Sequence, residues 1–273
     1  MSVRIVLAPY DAGRRGIRVG RGPGHLAENG LNESLTAAGL ETSLRTVESD
    51  GARPEVAAAF ELDENISREV SHSVSEGEFP LVLSGNCNSC VGTLAGLGAR
   101  ELGIVWLDGH ADFHTPETTT SGFTDCLGLS VAVGHCWKRM SAQVPGFEPV
   151  PEENAVLVGT REVEPGERER LEASEVSAVG LGNLEFALAG LRRRVRGVYL
   201  HLDLDVLDPA KVGKANEFAP VGGLTVEEAE WAIRLVRENV EIRAAGIASY
   251  DPAYDHDGVI LRAGLRVANS LFD

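Results

Sequence analysis

Val105-Trp106-Leu107-Asp108-Gly109-His110-Ala111-Asp112 is a short apolar run that breaks into residues of the metal-ligand type. The same change occurs in Tyr199-Leu200-His201-Leu202-Asp203-Leu204-Asp205-Val206-Leu207-Asp208-Pro209. Brief apolar runs with little alternation are what parallel strands covered on both faces look like. Working outward, such runs predict strands over 3–8, 42–47, 80–84, 103–107, 155–159, 197–202 and 242–248. Helical stretches lie between them at 55–74, 183–194 and 226–239. In the last, Thr225 and Glu228 form a T-x-x-E capping box, and Ala229, Ala232, Ile233 and Val236 follow helical spacing. Strand–helix alternation from end to end predicts a single α/β domain over 1–273 with a mainly parallel sheet. Ligands of such sheets bind outside the carboxyl ends of the strands, so the residues just after each run are the ones to inspect.

Composition narrows the function classes. The 273 residues are 43% hydrophobic, enough for a sizeable core and against general disorder. With 25 basic and 41 acidic residues the net charge is −16, unfavourable for nucleic acid or an anionic membrane as partner. The excess acid suits a cationic substrate or a metal ion, although a solvated acidic surface explains its bulk. No run approaches the roughly 20 apolar residues of a membrane span. The amino-terminal segment reads as the first strand rather than a secretory leader. The four cysteines are too few for a disulfide scaffold, so a reducing cytoplasmic location is expected.

Residues two apart on an extended chain point the same way. Asp108, His110 and Asp112 are therefore expected to converge, as are Asp203 and Asp205. Four gathered carboxylates repel one another and raise each other's pKa unless cations lie between them. Two divalent ions about 3.5–4 Å apart resolve that repulsion and generate a metal-bound hydroxide. Oxygen-rich ligation with one imidazole suits manganese better than a thiolate-type zinc site. A lone D-x-D is usually a solvated turn. Two ligand clusters directly after apolar strands are far more specific.

At these residues the sequence resembles the ureohydrolase family of arginases and agmatinases, over most of the chain. Asp108–Asp112 is similar to the family's D-A-H-x-D motif, and the 201–209 segment to its S-x-D-x-D-x-x-D-P motif. Three further segments resemble arginase more than agmatinase: 114–122 (N-T-P-x-T-T-T-S-G), 160–167 (L-R-D-V-D-P-G-E) and 220–225 (V-V-G-G-L-T). The resemblance implies a three-layer αβα fold with a mainly parallel eight-stranded sheet. It also implies two Mn2+ ions per chain. One would be held by Asp108, Asp112, Asp203 and Cys87 of the Ser84-Gly85-Asn86-Cys87 segment. The other would be held by Asp108, His110, Asp203 and Asp205. A bridging hydroxide, hydrogen-bonded by Asp112, would attack a guanidino carbon. His114 and Ser121 would face the α-carboxylate of an amino-acid substrate, and Glu164 its ammonium group.

Three departures from the family pattern all lie at the guanidino end. The histidine of G-G-D-H is replaced by Cys87, whose thiolate still binds a divalent ion but brings negative charge where a neutral imidazole stood. The glutamate of E-V-N-P, which pairs with the guanidinium, is replaced by Ser249. The proton-shuttling histidine is replaced by Asp125, either a carboxyl acid–base or a plain loop residue. The expected substrate is thus an α-amino acid with a less basic guanidino group. Nω-hydroxy-L-arginine, hydrolysed to L-ornithine and hydroxyurea, fits; the pattern is similar to the family branch that performs this step in D-cycloserine (antibiotic) biosynthesis.

The alternatives are an ordinary arginase releasing urea, a metal-binding pseudoenzyme, and deacetylase-like chemistry. Agmatinase or guanidinobutyrase activity leaves the paired amino-acid contacts without purpose. Cys87 and Cys90 form C-x-x-C, yet Cys126 and Cys136 do not supply the partner pair of a zinc site. His25, His72, His135 and His256 read as ordinary histidines, and His201 as buried support. Arg192, Arg193, Arg194 and Arg196 read as a basic helix end. Oligomeric state has no signal in the sequence.

Overall fold

The apolar runs become the strands of one eight-stranded sheet in a computed structural model that describes residues 1–49, 53–98 and 101–273. They are β1 (Ser2–Ala8), β2 (Glu41–Thr46), β3 (Phe79–Ser84), β4 (Leu102–Leu107), β5 (Ala155–Val158), β6 (Ser177–Val179), β7 (Gly197–Asp203) and β8 (Ile242–Ala248). All neighbours are parallel, in the order β2-β1-β3-β8-β7-β4-β5-β6. Seven of these strands fall where the sequence predicts them. β6 does not: three part-exposed or exposed residues at a sheet edge carry too little apolar signal.

The longer helices are α1 (Glu55–Ser75), α2 (Cys90–Leu97), α3 (Pro165–Glu172), α4 (Leu181–Leu191), α5 (Val226–Asn239) and α6 (Val259–Ser270). α5 matches its predicted bounds, and both arms of its capping box form between Thr225 and Glu228. α4 stops short of the predicted 183–194, so the arginines beyond Leu191 follow the helix rather than end it. Alternate strand residues bury on opposite faces of the sheet. Val3, Ile5, Leu83, Val105 and Leu200 pack with Leu184 and Leu188 of α4, Val236 of α5 and Val267 of α6. On the other face Val6 and Val82 pack with Ile66 and Val70 of α1, and Ile104, Trp106 and Tyr199 with Val91 and Leu94 of α2. Both faces are covered, giving the expected three αβα layers. Among the described residues no helix is long and apolar enough to cross a membrane.

α1 and α2 meet at Gly92, where a Cβ would lie 2.5 Å from the Asp63 carbonyl oxygen. The Asp63 carboxylate, buried here, accepts the Gly92 N–H at 3.1 Å, and burial pushes its pKa well above the ordinary value. A carboxyl raised in the folded state binds more protons than in the unfolded chain. Stability is then full below the unfolded pKa of about 3.9 and falls as pH climbs through the raised value. Asp63→Asn keeps the acceptor and removes the charge. It should raise the melting temperature by a few degrees near pH ~8 and leave it unchanged near pH ~3. Equal effects at both pH values, seen by calorimetry, would contradict the account.

Candidate metal centre

Parallel pairing puts the carboxyl ends of β3, β8, β7 and β4 side by side in the middle of the sheet. Trp106 of β4 is in register with His201 of β7, and Asp203 of β7 with Ala248 of β8. Ser249 then donates its backbone N–H to Gly85 O at 3.1 Å, joining β8 to the segment after β3. Gly85 is required there, since a Cβ would lie 2.0 Å from the Tyr10 carbonyl oxygen. Cys87 follows in a short turn, buried, with Sγ 3.1 Å from Asp203 Oδ2 and 3.4 Å from Ser249 Oγ.

β4 ends at Leu107, so Asp108–Asp112 converge by turning rather than along an extended strand. Asp112 (φ 49°) and Ser249 (φ 63°) both occupy the left-handed region, strain of the kind that collects at functional sites. Asp108 is pinned from two sides: Trp106 Nε1 donates to its Oδ2 at 2.9 Å and the His110 N–H to its Oδ1 at 2.7 Å. His110 Nδ1 lies 3.6 Å from Asp108 Oδ1 and 3.3 Å from Asp205 Oδ2. Asp203 caps the turn after β7 through the Asp205 N–H at 2.7 Å. Two sets of potential ligand atoms lie within 4.8 Å of one another: Asp108, His110 and Asp205, and Cys87, Asp108 and His201. The first matches most of the expected second-ion set. In the other, His201 stands where Asp112 and Asp203 are expected; those two line the adjoining cavity without joining either close set among the described residues.

Charge crowding has the expected consequence. Burial, and next the charge of Asp205, push Asp108 up to about 6 against the bonds from His110. Burial and neighbouring carboxylates raise Asp112 and Asp203 well above the ordinary value. Asp205 stays below the ordinary range despite burial, because His110 and Asn216 hydrogen-bond it. Burial first, then Asp203 and Asp112, raise the Cys87 thiol well above its usual value. Burial lowers His201 to about 3, leaving a neutral imidazole. Asp112 Oδ2 and His201 Nε2 are buried without any hydrogen-bond partner among the described residues. Repelling carboxylates, a thiol, two imidazole rings and orphaned acceptors make a donor set that fits divalent cations.

A cavity of about 390 Å³ opens from these ligands, within the roughly 300–1,000 Å³ of small-molecule sites. His114, Ser121 and Glu164 line it together with Asp125 and Ser249. His114 Nε2 is 3.7 Å from carboxylate oxygens of both Glu164 and Glu167, and Thr120 Oγ1 donates to Glu164 at 3.2 Å. Asp125 is no plain loop residue. Its carboxylate accepts the Cys87 N–H at 2.5 Å and Asn86 Nδ2 at 2.9 Å, and burial pushes it up to about 7. Cys90 turns into the core toward Gly128 O, so Cys87 and Cys90 do not act as a pair.

Sequence reasoning passed over several residues. Asn216 holds Asp205 Oδ2 at 3.2 Å and Ser249 O at 2.8 Å, and nothing local marks it. Arg161 donates to Asp205 O at 2.7 Å, Pro220 O at 3.0 Å and Val221 O at 3.1 Å, tying the Asp205 turn to the loop before α5. His201 had a signal: Tyr199, His201 and Asp203 alternate onto one face of β7.

The Arginase family profile matches residues 1–272. The chain belongs to the arginase family. It is an arginase-family amidinohydrolase, a metal-dependent enzyme acting on guanidino compounds. It is 29% identical to an arginase of Bacillus caldovelox, over 99% of this chain and 97% of that protein. Its fold matches the crystal structure of Bacillus subtilis arginase with a TM-score of 0.89 at 26% identity, covering 99% of this chain and 98% of that one. Bacillus cereus arginase matches with the same TM-score of 0.89 at 25% identity, over 100% of this chain and 98% of its own.

Proposed function

We propose that this arginase-family enzyme hydrolyses Nω-hydroxy-L-arginine to L-ornithine and hydroxyurea, a step of antibiotic biosynthesis. The observation that carries the reading is the contact between Cys87 and Ser249, 3.4 Å apart. These are two of the three substituted guanidino-end positions, and together they offer a thiol and a hydroxyl rather than an imidazole and a carboxylate. Two nearby carboxylates are already paired, Asp11 with Arg18 and Asp251 with Arg21 at 3.0 Å. A cationic guanidinium meets no dedicated counter-ion at Ser249. A neutral hydroxyguanidine needs none and can share hydrogen bonds with that hydroxyl.

Asp108, His110 and Asp205 would hold one Mn2+, and Cys87 and Asp108 another, with Asp112 and Asp203 completing the pair. The ions, when bound, supply an activated water and polarise the guanidino carbon. The chain's own residues do the rest. His114 and Ser121 receive the α-carboxylate and Glu164 the α-ammonium, which orients the far end of the substrate toward the ligands. Asp112 accepts a hydrogen bond from the attacking water at its free Oδ2. Asp125, poised near neutrality, holds the Cys87 segment and takes or returns a proton on the leaving side.

A second reading, urea release from L-arginine, draws on the arginases among its relatives. Steady-state kinetics on both amino acids with Mn2+ added tests the choice. A kcat/KM for hydroxyarginine at least about tenfold above that for arginine is expected, each tenfold being about 1.4 kcal/mol of differential transition-state binding. Equal or better turnover of arginine overturns the substrate assignment. Absence of any product from either substrate overturns both readings of the substrate.

A further inference from the structure

The residue left over once the expected ligands are placed is His201. It is wholly buried on β7 and in register with Trp106 of β4. Its ring stacks on the Trp106 indole at 3.7 Å between centroids and 17° between planes. Its Nδ1 is engaged by the Tyr199 hydroxyl at 2.8 Å. Its Nε2 has no hydrogen-bond partner among the described residues. An unpaired nitrogen in the core costs free energy that buried support alone does not require. Yet the ring is held at two points, and a ligand atom of His201 lies within 4.8 Å of ligand atoms of Cys87 and Asp108.

Ligand atoms around one ion stand at most about twice a bond length apart, roughly 4.4 Å for bonds of 2.0–2.3 Å. Three atoms up to 4.8 Å apart can share a point within about 2.8 Å of each, so shifts of about half an ångström bring the three onto one cation. The remaining features suit a ligating histidine: Nδ1 is tied down by an outer hydrogen bond, Nε2 is left unpaired, and the ring orientation is locked. The second ligand, Asp108, is oriented by the same Trp106 that stacks on the ring.

We propose that His201 supplies, from β7, the imidazole that Cys87 does not, so that Nε2 ligates the ion held by Cys87 and Asp108. The imidazole has moved from the β3 turn to β7 instead of being lost. A neutral nitrogen donor beside the thiolate then limits the negative charge gathered around that ion. The proposal rests on the two-ion reading above and adds one ligand to it.

The test is metal binding by the full chain, independent of turnover. X-ray absorption of the Mn2+- or Co2+-loaded wild type counts imidazole rings: two rings for two ions are expected, from His110 and His201. Equilibrium titration of metal-stripped protein with Mn2+ should show His201→Gln weakening one of two sites by at least about tenfold, the other being kept. Tyr199→Phe, which retains the ring and removes its outer hydrogen bond, should weaken the same site by about tenfold. The double variant Cys87→His with His201→Gln should regain two tight sites. One ring for two bound ions, or two undisturbed sites in His201→Gln, overturns the ligation and leaves the two-ion reading standing. Uptake of fewer than two ions by the wild type overturns both.

Discussion

Asp108→Ala is expected to leave the protein unable to retain two ions and to lower hydrolysis at least about a thousandfold. Asp108 is the residue common to both close ligand sets, so its loss opens both at once. Lewis-acid and nucleophile-activating effects are each worth several kcal/mol, and about 1.4 kcal/mol is a decade in rate. The alanine variant also strips Trp106 Nε1 of its acceptor, at a folding cost of about 1–3 kcal/mol for a buried donor. Asp108→Asn separates the two effects in part, since its single Oδ1 keeps an acceptor for Trp106 Nε1 while the charge is removed and the His110 N–H loses its partner. Emission spectroscopy of the dialysed variants should find less than two manganese per chain in both, with the asparagine form melting closer to wild type than the alanine form. Two retained ions in Asp108→Asn would remove Asp108 from its shared place.

The second large effect concerns substrate choice. Ser249→Glu should shift the ratio of kcat/KM for arginine over hydroxyarginine by about 10- to 100-fold toward arginine. A hydrogen bond to a charged group is worth about 1.5–3 kcal/mol, and a carboxylate here meets the cation that the serine leaves without a partner. Part of the gain is offset by the left-handed backbone at φ 63°, which a long side chain accepts less readily. Because Ser249 Oγ is 3.4 Å from Cys87 Sγ, adding Cys87→His should give a combined shift that departs from the product of the single ones. The two ratios, measured side by side, decide the matter. An unchanged ratio in the double variant would mean that selectivity lies elsewhere in the cavity.

Much of this molecule was legible in one dimension because its signals are local. Continuous apolar runs identify strands buried on both faces, and seven of the eight lie where the runs place them. A T-x-x-E pair before a helical period marks the start of α5 to the residue. The clusters after Leu107 and Leu202 announce a cation site because carboxylates do not gather in an apolar setting without compensation. α3 was harder to see: Pro165–Glu172 is mostly charged and buries little, so no apolar period betrays it.

What the tertiary structure alone decided is neighbourhood. The order β3-β8-β7-β4 in the middle of the sheet does not follow the chain, because parallel strands are joined by crossovers that skip positions. That order sets Ser249 against Cys87, lays His201 on Trp106, and brings a β7 imidazole to a ligand set begun in the β3 turn. Residue types and their spacing along a strand determine which side chains share a face. Which of them touch depends on pairings between segments distant in the chain, whose free energy is collective and is written in no single stretch of it.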